Sequence, residues 1–202
     1  MLIPVATCFA LILGTGAAHP WELVDDDDGV KVWARPVADS EVREVKAETI
    51  VDAPAARIWE TVCDVEHYAV FMPYIEKVRV VGKHDRGIYV YQRINPPFVD
   101  RRDYTVKVTY EADATAGRYK RSWEPANDKG PPPREDSVRL VINEGHWQIT
   151  AKGPTRSAVV YYLHTDPGGS IPNWLANKGN KTSVPNVVNA VRNRSIDPKW
   201  RP

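Results

Sequence analysis

The side chains that most often do chemistry are present, but not at spacings that make a catalytic site. The five histidines, His19, His67, His84, His146 and His164, form no H-x-x-x-H, H-E-x-x-H or Cys/His ligand pattern, so the sequence supports no metal centre. There is no G-x-S-x-G elbow to present a serine nucleophile. Gly168-Gly169 precedes a helical stretch but lacks the flanking pattern of a phosphate loop. Cys63 lies beside Asp64 near the end of a predicted helix, a setting that raises a thiol pKa and makes a structural cysteine. Asp25 to Asp28, followed by Gly29, would need a Glu at the twelfth position to act as an EF-hand-type calcium loop, and that position is Pro36. It reads as a solvated turn. Asn180-Lys181-Thr182 and Asn193-Arg194-Ser195 match the glycosylation pattern, but both fall in a predicted helix. No cofactor is expected. What remains is a chain with seven tryptophans and nine tyrosines, side chains that line cavities as readily as they fill cores. That composition fits a binding protein better than an enzyme.

The elements that would position such a lining follow from periodicity. Val30–Arg35 and Val42–Val51 alternate as strands, and Asp52-Ala53-Pro54 caps and opens a helix from Ala55 to Asp64. From Lys77 onward the period stays at two: Lys77–Gly82, Ile88–Ile94, Tyr104–Glu111, Gly117–Trp123, Asp136–Asn143, His146–Lys152 and Ser157–His164 read as strands. The linkers Asp85-Arg86-Gly87, Asn95-Pro96-Pro97, Asn143-Glu144-Gly145 and Lys152-Gly153-Pro154 are short enough to make antiparallel hairpins. Glu124 to Glu135 is a longer segment that reads as a solvated loop, with a lid as the alternative. Tyr104, Val106, Val108 and Tyr110 form one apolar stripe; Trp147, Ile149 and Ala151 form another. After Asp166-Pro167-Gly168-Gly169, Ser170 caps a terminal helix that Ile171 and Pro172 open. At ~100° per residue, Ile171, Trp174 and Leu175 fall on the side opposite Val184, Val187, Val188 and Val191, with Gly179 and Pro185 as the place for a break. The order of elements is α+β, with the terminal helix plugging a curved sheet and leaving room for a ligand.

Bulk properties bound the rest. At 202 residues the chain has one domain's worth of core. Lys+Arg 27 against Asp+Glu 26 argues against a nucleic-acid binder. Residues 1–18 are apolar and end in small residues like a signal peptide, although no Lys or Arg precedes Lys31. The expectation is a leader at 1–18, a single domain at 19–202, and a soluble periplasmic or secreted monomer.

Three stretches carry a family resemblance. DPGGSIPNWLANKGNKTSVPNVVNAVR resembles the C-terminal helix of START domains, the steroidogenic-acute-regulatory-protein-related lipid-transfer family. Pro96 to Tyr104 resembles that family's proline–Arg-Asp segment, and Trp21 to Trp33 followed by AETIVDAPAARIWETVCD resembles its beginning. The resemblance implies a helix-grip fold within the Bet v 1-like superfamily: a curved antiparallel sheet around the terminal helix, enclosing an apolar cavity for one lipid such as a sterol, hopanoid or phospholipid. It also implies transient contact with membrane surfaces during transfer. A polyketide cyclase/aromatase-like enzyme on the same scaffold is the alternative. The expected lipid contacts on the early strands are Tyr91, Arg93, Tyr104 and Val106. Val138, Leu140, Trp147, Ile149 and Tyr162 follow on the later ones, and Ile171, Trp174, Leu175 and Lys178 on the helix. Arg93, facing inward, would be a buried cation for an anionic head group; facing outward, it would be an ordinary surface arginine. Lys178 either reaches a head group or snorkels outward. Gly168-Gly169 and Gly179 are the expected hinges.

Overall fold

The computed structural model describes residues 19–200 apart from 39, 97, 98, 170 and 172, and does not describe the side chains at 41, 173–178, 180 and 181. The predicted leader, the Ser170 cap and Pro172 thus lie outside the described residues.

One large sheet dominates. Its strands are β1 (Glu22–Asp27), β2 (Val30–Val37), β3 (Ser40–Val51), β4 (Ile75–His84), β5 (Gly87–Ile94), β6 (Arg102–Asp113), β7 (Arg118–Pro125), β8 (Val138–Arg139), β9 (Asn143–Gly153) and β10 (Arg156–Thr165). The order across the sheet is β1-β2-β3-β10-β9-β7-β6-β5-β4, antiparallel throughout, and β8 pairs with β6 in parallel. The pairing of β3 with β10 joins the two ends of the chain, and α1 (Ala55–Cys63) and α2 (Tyr68–Phe71) carry it from β3 to the far edge. The aspartate run is split between β1 and a tight turn. Asp28 and Gly29 have φ of 48° and 72°, the geometry of primed hairpin turns that Asp-Gly favours.

The terminal helix α3 runs as one assigned helix, Asn173–Ile196, with Pro185 inside it, so Ile171 lies just before its first turn. Its second half packs on β2, β3 and α1. Val184, Val188 and Val191 are all at most 2% exposed and join Val32, Val45, Ala47, Ile58 and Val62 in the main core. Each such side chain contributes roughly 1.5–3 kcal/mol of burial, so the valine row anchors the helix. The helix end is fixed by polar contacts too. The Arg57 guanidinium donates to the carbonyls of Ser195 (2.5 Å), Asp197 (2.5 Å) and Trp200 (3.1 Å), satisfying acceptors that a helix C-terminus leaves open. Arg192 bonds the Asp28 carbonyl at 2.7 Å, tying the helix to the β1–β2 turn.

Three local expectations are corrected. The stretch Asp136–Asn143 is not one strand: Val138–Arg139 pair beside Arg102–Asp103 of β6, and Asn143 already belongs to β9. Asn143-Glu144-Gly145 is not a turn but the start of β9. A Cβ on Gly145 would lie 2.5 Å from Trp123 Cζ2 and 2.2 Å from the Tyr162 carbonyl oxygen, so glycine is there to admit the indole. Asp52 does not cap α1, whose N-terminus has no side-chain cap and starts after Pro54.

Candidate functional site

Directly paired residues in a ladder project to the same side of a sheet, so the registers define its faces. Tyr104, Val106 and Val108 of β6 pair with Gln92, Val90 and Ile88 of β5. Val108 and Tyr110 pair with Trp123 and Arg121 of β7; Tyr119 and Arg121 pair with Ile149 and Trp147 of β9; and these pair with Val159 and Tyr161 of β10. Trp147, Ile149, Val159 and Tyr161 share the main core with α3, so this is the concave face that the helices cover. Val90, Val106 and Val108, at most 4% exposed, form a second buried cluster farther along it.

The structure divides the expected site residues. Tyr104, Val106, Trp147 and Ile149 share the concave face. Leu140 is buried, Val138 is half-buried against Gly168–Gly169, and Ile171 is half-buried. Trp174, Leu175 and Lys178 lie outside the residues whose side chains are described. Tyr91, Arg93 and Tyr162 point to the opposite, outer face, because each is one residue out of phase with the concave set. Tyr91 donates its hydroxyl to Asp103 (3.1 Å), Arg93 pairs with Asp136 (2.8 Å) and Glu76 (3.5 Å), and Tyr162 donates to the Glu44 carboxylate while stacking on His146. The Pro131–Asp136 segment roofs Tyr91 and Arg93, leaving an outer cleft of about 600 Å³ whose cations and acids are intermixed. Arg102 and Asp103, within the Pro96–Tyr104 segment, make structural contacts. Arg102 donates to the Pro167 (3.1 Å) and Asp100 carbonyls, and fully buried Asp103 accepts from Arg139 at 2.8 and 2.9 Å.

The concave face carries polar atoms that the sequence reading missed. Tyr104 donates to Gln92 Oε1 (2.5 Å), and Trp123 Nε1 donates to Asn143 Oδ1 (3.1 Å); Gln92 and Asn143 are both buried. Trp59 stacks on Tyr119 (centroids 5.4 Å apart) and meets Tyr110 edge-on, while Trp147 lies against Tyr161 at 4.4 Å. In the middle sits Arg121, 4% exposed. The Tyr68 and Trp123 rings lie 5.6 and 5.7 Å from its Cζ, and its Nε–H has no acceptor. Burial pushes the Tyr104 hydroxyl and the Cys63 thiol up to about 12 each, and pushes Tyr68 and Tyr161 up as well. These groups are neutral at pH 7, so Arg121 is a buried cation among neutral phenols. The alternation Tyr119-Lys120-Arg121-Ser122-Trp123 was the available signal: an arginine in phase with two aromatics.

The thiol of Cys63, with its pKa raised by burial, is protonated at neutral pH and so is a poor nucleophile there. Among the described residues no three His, Cys, Asp or Glu side chains gather to hold a metal, and no helix is long and apolar enough to cross a membrane. None of the concave residues aligned by the ladders from β2 to β10 is Asp or Glu. The arrangement can enclose apolar chains and hold a polar or anionic end.

Residues 51–192 match the family described as polyketide cyclase/dehydrase and lipid transport. The chain is 30% identical over 180 residues to an uncharacterized protein of Pseudomonas aeruginosa, covering 88% of the chain and 87% of that protein. A STAR-related lipid transfer protein from Xanthomonas axonopodis superposes with a TM-score of 0.78 at 28% identity, over 88% of the chain and 99% of its own. Human START domain-containing protein 10 is 26% identical over 192 residues, which cover 90% of the chain but 63% of that longer protein. Its crystal structure superposes with a TM-score of 0.78 at 20% identity, over 87% of the chain and 73% of its own. The chain therefore belongs to the polyketide cyclase/dehydrase and lipid transport family, and its α+β architecture is the START helix-grip fold.

Proposed function

We propose that the chain binds a single lipid between its concave face and α3 and carries it between membranes. The observation behind this reading is the character of that face: aromatic and aliphatic across eight strands, free of carboxylates along its ladders, with a few buried polar atoms. Enclosing several hundred Å² of apolar ligand surface at ~25 cal/mol/Å² yields on the order of 10 kcal/mol before ordering costs. Two relatives are named for START domains or lipid transfer, which supports the same reading. A leader at residues 1–18 would export the protein, and a soluble periplasmic or secreted monomer that meets membranes transiently fits a carrier. The test is to incubate purified protein with vesicles of phospholipid, fatty acid and sterol, re-isolate it and weigh it by native mass spectrometry. One lipid per chain is expected; protein that stays empty against all three overturns the reading.

A second reading is a cyclase-type enzyme, favoured by one feature: a cation beside Tyr110 and Tyr68 could stabilise an enolate. Turnover of a poly-β-ketone substrate that Arg121→Met abolishes would establish it. Binding without turnover would leave the carrier.

A further inference from the structure

Two arginines sit buried on the concave face, and they differ in kind. Arg102 directs its donors to backbone carbonyls, that of Pro167 in the Asp166–Gly169 turn and that of Asp100 just before its own strand. Arg121 lies at the centre of the sheet, between the main core across β9 and the Val90–Val106–Val108 cluster across β6. It is 4% exposed, its Nε–H meets no acceptor, and no carboxylate among the described residues forms an ion pair with it.

A guanidinium stays protonated in proteins, so this is a whole positive charge withdrawn from water. Its surroundings do not neutralise it. Burial works against the charge, and the ionised forms of Tyr68, Tyr110 and Cys63 that outweigh this exist only at alkaline pH. The Tyr68 and Trp123 rings offer partial cation–π compensation and the Tyr110 hydroxyl a neutral hydrogen-bond partner, but none of them carries an opposing charge at neutral pH. Buried charges in folded proteins are paired or bind something. The arginines of the outer face illustrate the contrast, since Arg93 and Arg139 each have carboxylate partners.

We propose that Arg121 takes the acidic head of the bound lipid, so that the protein selects amphiphiles ending in a carboxylate or phosphate monoester over neutral ones. This deepens the lipid-carrier reading and rests on it. The planar fork of a guanidinium matches both head groups with paired, charge-assisted hydrogen bonds. The neutral phenols around it can complete the shell without competing for the charge. An apolar chain attached to that head would lie along the buried valines of β5 and β6.

The experiment compares matched probes on the full chain. Oleate is set against oleyl alcohol, and dioleoyl phosphatidic acid against dioleoylglycerol, each displacing a fluorescent fatty-alcohol probe, with wild type and Arg121→Met. Wild type is expected to favour the acid at least tenfold in one pair or both, and the pair that discriminates identifies carboxylate or phosphate. Arg121→Met should erase that preference while keeping or improving affinity for the neutral member. Wild-type protein that binds acid and neutral probes equally overturns the assignment and leaves the carrier reading standing. So does a folded Arg121→Met that keeps the preference. Failure of all four probes to bind overturns the carrier reading itself. The wild-type comparison decides the matter even where the variant fails to fold.

Discussion

Asp103 offers a test of how the two faces divide labour. The carboxylate is fully buried on the outer side of β6 and accepts from Arg139 Nε and Nη2 at 2.8 and 2.9 Å. Arg139 Nη2 also reaches the carbonyls of Pro131 (3.2 Å) and Pro132 (3.1 Å), so one carboxylate positions the arginine that pins the outer proline segment. Asp103→Asn keeps the shape, removes the charge and turns a donor toward a guanidinium. Breaking a buried ion pair from one side costs about 3–5 kcal/mol. Arg139 retains 15% side-chain exposure, so water recovers part of the loss and about 2–4 kcal/mol is expected. At roughly 2–4 °C per kcal/mol for a chain of this size, the Tm falls by about 5–15 °C. Urea titration of wild type, Asp103→Asn, Arg139→Met and the double variant measures the coupling directly. The double variant should cost clearly less than the sum of the single ones, with an interaction energy above about 1 kcal/mol. Strict additivity would refute the clamp. Lipid uptake by folded Asp103→Asn should stay within about threefold of wild type, since the concave face is untouched.

Other expectations follow from the same geometry. Val188→Ala deletes two buried methyl groups from the helix anchor and should cost about 2–3 kcal/mol by urea unfolding, whereas a loss under about 0.5 kcal/mol would mean that α3 is not held there. Gly179 is exposed on α3 with nothing within 4 Å of an added Cβ, so Gly179→Ala should strengthen the helix by up to about 1 kcal/mol. If the helix yields there to admit ligand, lipid exchange slows in that variant at unchanged affinity, and an equal exchange rate refutes the hinge. Burial raises the pKa of Cys63 and Tyr104 from 9.0 and 10.0 to about 12 each. A raised acid favours folding while protonated in both states, so stability is full below pH ~9 and is lost as pH climbs toward 12. Urea midpoints should therefore be level from pH 7 to 8.5 and fall above pH 9, with Cys63→Ala removing the earliest part; a midpoint flat to pH 11 contradicts the burial of both groups.

The stripes of this fold were legible because period two survives wherever one face is buried and the other wet. Tyr104 to Tyr110 and Trp147 to Ala151 both read correctly. The valine row of α3 was legible for the same reason at period 3.6. Facing failed where both sides of a strand are covered. Tyr91 and Arg93 looked like lining because an aromatic-rich face suggests an interior, yet Pro131–Asp136, distant in sequence, covers the outer side of β5. Tyr161 and Tyr162 are adjacent aromatics on opposite faces, and β10 alone does not say which is inside. Gly145 read as a turn because nothing local shows that the Trp123 ring occupies its missing side chain. Arg121 was passed over because a lone arginine in a strand is usually solvated; its burial depends on pairing with β6 and β9.

The most direct test is where a bound lipid touches the chain. A fatty acid bearing a diazirine in its acyl chain, photolysed in the complex and mapped by peptide mass spectrometry, should label Tyr104–Tyr110, Tyr119–Trp123 and Trp147–Ile149. Labels confined to Tyr91, Arg93, Tyr162 or the Pro131–Asp136 segment would contradict the account, placing the ligand on the outer face.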